Sequence, residues 1–165
     1  MRPWADRVRE EAYLLNPAFS AINLTASLDG YVSVATTGMP FPMSFLVLPV
    51  VLHRPTREKL PTSTRTSMPA WLQEHAEARV SFFERVTSLR PHTREALHFG
   101  LRHGLLRTGE AGALRAAPQP TRVKRMLDKM TGEARECGLK ARFVGKWLAS
   151  TGSPATAMAL WGIRP

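Results

Sequence analysis

The chain has 165 residues, the size of one ordinary domain, and a domain of that length buries an apolar core without a metal or disulfide staple. Its 44% hydrophobic and 22% charged residues exclude wholesale disorder. The unusual quantity is a formal charge of +10, from 23 Lys plus Arg against 13 Asp plus Glu; it favours phosphate-bearing or acidic partners, although an arginine-rich residue usage would also produce it.

The lone cysteine, Cys137, excludes internal disulfides and multi-cysteine zinc motifs, and it fits a reducing cytoplasm. Charged residues at positions 2, 6, 7, 9 and 10 interrupt the apolar run a signal peptide needs, so a cytoplasmic location is expected. The most apolar stretch, 43–52, contains Pro49 and falls short of the ~20 residues of a membrane span, so no membrane insertion is expected.

In chain order, Val8, Ala12 and Leu15 form the apolar stripe of a first helix over 4–15. Asn16 then caps a second helix with Pro17 at its first position, and Asp29-Gly30 is expected to end it, followed by a short β-like stretch over 31–34. The all-apolar run 45–52 reads as a kinked helix, because Pro49 would remove a ladder donor from a central strand. Residues 53–66 read as a polar surface segment with one turn at 56–60.

Ser67-Met68-Pro69 starts a helix that breaks near His75-Ala76 and resumes until Pro91. A further helix over 93–103 carries Leu97, Leu101 and Leu105 on one side and Arg94, His98 and Arg102 on another. Residues 105–107 and 113–116 flank a glycine-containing turn and form a hairpin. Val123, Met126, Leu127 and Met130 mark an amphipathic helix, a helix over 133–150 buries Cys137, Ala141, Val144 and Leu148, and Ser153-Pro154 opens a last short one. The expected fold is a single mostly α (α+β) domain, with a winged helix-turn-helix-like centre at 67–117, a small β-hairpin wing, and a C-terminal helical segment at 121–165.

Catalytic sets are absent from the sequence. It has no phosphate-binding loop ending in Gly-Lys-Ser/Thr and no Gly-x-Ser-x-Gly elbow, and His98 and His103 are five apart rather than at zinc-binding spacing. Cys137 on an apolar helical face reads as a small core residue. No enzyme activity, metal or cofactor is expected. In the winged-helix reading, Arg94, His98 and Arg102 face a DNA groove while Arg107 and Arg115 on the wing reach phosphate; the same stripe could instead be solvated or face a protein. The helix over 123–130 could serve a homodimer.

Several separated segments carry a family likeness: Asn16-Pro17-Ala18-Phe19; the run from Leu46 through Pro49, His53 and Pro55 to Glu58; Arg94-Glu95-Ala96-Leu97 with Phe99-Gly100-Leu101; Lys140-Ala141-Arg142-Phe143-Val144-Gly145-Lys146-Trp147; and Gly162-Ile163-Arg164-Pro165. The chain resembles the middle component of three-component ABC systems. That resemblance implies a non-enzymatic adaptor in bacterial antiviral defence, partnered by an SMC-like ABC-type ATPase and a third component. Near the C-terminus, Lys140, Phe143, Trp147 and Trp161 combine aromatic rings with positive charge, as interface centres do, and are candidate partner-docking residues; packing on the 43–52 core is the competing expectation. A stand-alone winged-helix DNA-binding regulator is the alternative function.

Overall fold

A computed structural model describes residues 15–163. Among them are eight α-helices and one antiparallel hairpin, so the protein is mostly α. The helices are α1 Pro17–Val32, α2 Ser44–Val51, α3 Arg54–Lys59, α4 Met68–Glu74, α5 Phe82–Arg102, α6 Pro120–Asp128, α7 Gly132–Ala149 and α8 Pro154–Leu160; strands β1 Leu106–Thr108 and β2 Leu114–Ala116 separate α5 from α6. The helix expected over 4–15 lies outside the described residues apart from Leu15, as do Arg164 and Pro165.

The local signals at helix starts hold. Asn16 Oδ1 accepts from the N–H groups of Ala18 at 2.8 Å and Phe19 at 3.4 Å, and Ser67 and Ser153 cap α4 and α8 with Pro in the first turn. The helix expected to end at Asp29-Gly30 instead runs to Val32, which removes the β-like stretch. Its last turn is held by tertiary contacts. Arg142 Nε donates to the buried carboxylate of Asp29 at 2.7 Å, and Gly30 lies against the Arg142 backbone, where a Cβ would collide with the carbonyl. Gly145 of α7 meets the Ser27 carbonyl of α1 in the same way. Gly30 therefore serves a close helix crossing, not a stop.

Helix α1 packs on α2, α5 and α7, α2 packs on α5 and α7 as well, and α1 is buried on nearly every side. Two of its buried polar residues bond its own backbone: Asn23 Nδ2 donates to Phe19 O at 2.9 Å and Thr25 Oγ1 to Ala21 O at 2.7 Å. The run 45–52 is helical as expected, with Pro49 inside α2. The 53–66 segment is not a mere polar surface. It folds into α3 and buries Thr56, Arg57 and Leu60.

Pro91 does not end a helix. It sits inside the 21-residue α5, which runs unbroken to Arg102, so the second and third helices of a helix-turn-helix are one here and the turn between them is missing. Both Pro91 and Thr87 are exposed, and water can satisfy the Thr87 carbonyl that position 91 leaves without a donor. The hairpin forms as expected, pairing Leu106 with Ala116, Arg107 with Arg115 and Thr108 with Leu114. Leu106 and Leu114 point into the core, and Met39 adds a bridge to Leu114. Leu101, expected on the apolar face of its helix, is 42% exposed. The apolar face of α6 packs within the chain: Val123 and Leu127 are buried, and Leu127 lies against Gly138 of α7. That face is not free for a second copy.

Gly145→Ala should force α1 and α7 apart. An added methyl against a backbone carbonyl cannot be relieved by a rotamer change, so a loss of about 3 kcal/mol is expected, read as a melting temperature lower by roughly 6 to 12 °C. An unchanged melting temperature would show that the crossing tolerates a side chain.

Candidate functional site

Arg94, His98 and Arg102 occupy successive turns of α5 and all three are exposed, which bears out their common face. Without a preceding turn, that face belongs to one long helix rather than to a separate recognition helix. On the hairpin, Arg107 and Arg115 stand directly opposite each other. Arg107 is exposed, whereas Arg115 is half-buried and its Nη2 donates to Thr36 O at 2.5 Å. Both line a cleft of about 190 Å³ with Asp29 and Gln119; the α5 residues are not part of that lining.

The aromatic residues near the C-terminus go elsewhere. Trp161 is 2% exposed and stacks on Phe82 with ring centroids 4.2 Å apart, and Trp147 is 1% exposed with its indole N–H donating to Thr66 O at 2.9 Å. Both side chains are core, so neither presents a docking surface. Phe143 is half-buried beside Trp147, and the Lys140 ammonium donates to Leu60 O at 3.0 Å. Cys137 is buried, with Sγ 3.5 Å from Val51 O, and burial raises its pKa, which keeps it a thiol.

Two features escaped the sequence reading. The first is Arg57, 1% exposed at the centre of α3. Its Nη1 donates to Val51 O at 2.8 Å and its Nη2 to Glu133, while Nε lies 3.3 Å from Glu136 Oε1 in an ion-pair contact that misses hydrogen-bond geometry. Burial works against its charge, and the hydrogen bond it donates to Glu133, together with the neighbouring negative groups, outweighs it, so its pKa is raised. A polar-looking stretch gave no sign that one arginine in it would face inward. The second is a cavity of about 400 Å³ between α3, α4 and the start of α5, lined by His53, Thr56, Lys59, Trp71, Glu77 and Arg85 among others. His53 Nδ1 lies 2.7 Å from Thr56 Oγ1, and Lys59 pairs with Glu77 at 2.8 Å. Arg85 donates to the carbonyls of Val80 and Ala78, both at 2.8 Å. Burial, and secondarily the Arg85 charge, lower the His53 pKa. Among the described residues, no group of three or more His, Cys, Asp or Glu could hold a metal ion.

These features define a small, mostly helical and strongly basic protein with exposed cations on one face of α5, on the hairpin and on other elements. The chain belongs to the ABC-three component (ABC-3C) system Middle Component 3 family, whose model matches residues 4–165, and this agrees with the likeness carried by its sequence. It is thus one component of a multi-component ABC system. Neither a curated protein nor a solved structure matches the chain. Among the described residues, no helix is long and apolar enough to cross a membrane.

Trp161→Ala should remove a buried ring and leave a cavity beside Phe82. The expected loss is about 3 to 5 kcal/mol, with the melting temperature down by roughly 10 °C or more; near-wild-type melting would contradict its place in the core. His53 should titrate below its ordinary 6.5. A lowered folded-state pKa means that the unfolded chain takes up the proton first as pH falls, so the stability contributed by neutral His53 is present above about pH 6.5 and is lost as pH falls through the folded value. Proton NMR of the imidazole checks this, and Arg85→Ala should move the midpoint upward.

Proposed function

We propose that the chain is a non-enzymatic adaptor that acts in the cytoplasm and links the SMC-like ABC ATPase of its system to the third component, in the antiviral defence role that the family likeness implies. The observation that supports this reading is an exposed apolar pair, Val80 on the rim of the His53–Arg85 cavity and Phe83 three residues on, outside its lining. Val80 is 66% exposed and Phe83 57% exposed, three residues apart where the chain enters α5. Large apolar side chains beside a concave site are the form of a protein anchor point, since burying them on association is favourable and the cavity offers a partner side chain a place to insert. Between them Ser81 adopts φ 52°, a left-handed conformation that costs a non-glycine residue about 1 kcal/mol. Strain of this kind persists where the surroundings fix it, and here it accompanies the outward presentation of both apolar residues.

ATP hydrolysis is assigned in this reading to the ATPase partner. The stand-alone winged-helix regulator is disfavoured by the continuous α5, which leaves no separate recognition helix.

Co-expression of the chain with its two system partners, followed by purification on a tag carried by this chain, tests the proposal. Wild-type protein should retain both. The double variant Val80→Glu, Phe83→Glu should keep its melting temperature, because both side chains are exposed, and should lose at least one partner. Retention of neither partner by the wild type overturns the adaptor reading; full retention by the variant overturns its location at this rim.

A further inference from the structure

We propose that the hairpin and α6 together form a track for the phosphate backbone of a nucleic acid, bound without sequence readout. The juxtaposition is specific. The cleft holding Arg107 and Arg115 shares Ala117, Pro118 and Gln119 with a second cleft, of about 660 Å³, whose lining includes Arg122, Arg125 and Lys129. The last three recur at i, i+3 and i+7, so α6 and its C-cap residue Lys129 present them on one face, opposite to the buried Val123 and Leu127. Pro118 and Pro120 fix the backbone between hairpin and helix, so the two sets of cations are held in one arrangement rather than on a floppy arm.

Arg107, Arg122, Arg125 and Lys129 take part in no ion pair among the described residues. Two acids at the track are engaged elsewhere, Asp29 with Arg142 at 2.7 Å and Asp128 with Arg135 at 3.3 Å, and the hairpin's one acid, Glu110, sits at its tip, leaving the cations in excess. Like charges gathered this way repel one another, and a polyanion relieves the repulsion while releasing its own counterions. Four of the five cations are arginines, whose planar forks match phosphate oxygens better than a lysine point charge does.

The same geometry favours nucleic acid over an acidic protein. Protein interfaces draw their affinity from buried aromatic and apolar anchors. The larger cleft has no aromatic residue in its lining, and its apolar members are Ala117, Pro118 and Met126. Affinity there must come from charge, and contacts to phosphate position a nucleic acid without reading its bases. This inference goes beyond the adaptor reading and does not depend on it.

Fluorescence anisotropy of the full chain tests it, with a labelled random-sequence DNA duplex of about 20 base pairs, the matching RNA duplex, and polyglutamate as the acidic-protein probe. Binding of a duplex is expected, with affinity falling steeply as salt rises; whichever duplex binds tighter identifies the polymer. The triple variant Arg122→Ala, Arg125→Ala, Lys129→Ala should weaken binding roughly ten-fold or more and make the log–log salt slope shallower by about 2 to 3. A control triple, Arg65→Ala, Arg79→Ala, Arg90→Ala, removes the same charge from other exposed positions and should retain most of the affinity. Arg107→Ala reads the other end of the track independently and should weaken binding more than any single control substitution. All seven side chains are exposed, so the variants should melt with the wild type. Equal losses in the two triples would reduce the effect to net charge and overturn the site, as would an unaffected track triple. Polyglutamate binding as tightly as duplex would overturn the choice of nucleic acid.

Discussion

Helices α1 and α7 cross so closely that at two positions no side chain fits between them. Gly30 faces the backbone of Arg142, and Gly145 faces the backbone of Ser27, a reciprocal arrangement in which each helix supplies the gap the other fills. Close approach of this kind aligns many weak dispersion contacts at once, and it is intolerant of a single added methyl. Asp29 and Arg142 pair at the same crossing, with the carboxylate buried and the guanidinium partly in water. The register of α7 along α1 is thereby fixed, and the contacts of α7's other residues follow from it.

Along α7, successive turns hold the segment between α2 and α4. Glu133 and Glu136 engage Arg57, Cys137 meets Val51 O, Lys140 donates to Leu60 O, and Trp147 donates to Thr66 O. Four of these five contacts end on a residue of the 54–66 segment or α3, and together they convert a proline- and hydroxyl-rich stretch into part of the core. Trp71 extends the same scheme, with its indole N–H on Lys59 O at 3.0 Å and its ring against Trp147 and Trp161. The cavity rim that carries Val80 depends on this arrangement, because α3 and α4 form two walls of that cavity and neither is long enough to stand alone.

What the sequence reveals about this fold divides by range. Asn16, Ser67 and Ser153 act within a few residues of themselves, and so do the hairpin turn and the periodicity of α6; each is legible because cause and effect lie in one local window. Gly30, Pro91, Arg57 and Trp161 are not legible in that way. A glycine that ends a helix and one that admits a neighbouring backbone look alike until the neighbour is known. A proline inside a helix both frees a carbonyl and crowds it with its ring, and how far water relieves that depends on exposure. Arg57 in a polar run declares no preference for the interior, since its partners lie 76 and 79 positions away in α7. The basic stripe on α5 was readable as a face, yet what that face belongs to, a recognition helix or the middle of a long one, turns on Pro91.

Charge placement follows from the same architecture. Acids are scarce relative to bases, and apart from Arg54–Glu58 within α3 the described ion pairs join elements: Glu133 and Glu136 tie α7 to α3, Asp29 ties α1 to α7, Asp128 meets Arg135 of α7, and Glu77 joins Lys59 across the cavity. Surface pairs contribute little to stability, whereas a buried arginine without its carboxylates would be strongly destabilising, so the fold depends on acids at α3 and α7 far more than at the hairpin. Arg107 and the α6 cations are exposed to water and need no partner to be tolerated in the folded state. Their concentration on one continuous pair of clefts is therefore not something stability requires. A surface whose charge the fold neither uses nor neutralises is free to be set by a ligand, and clefts without an aromatic residue in their lining suit a ligand bound through its charges, as the proposed phosphate track requires.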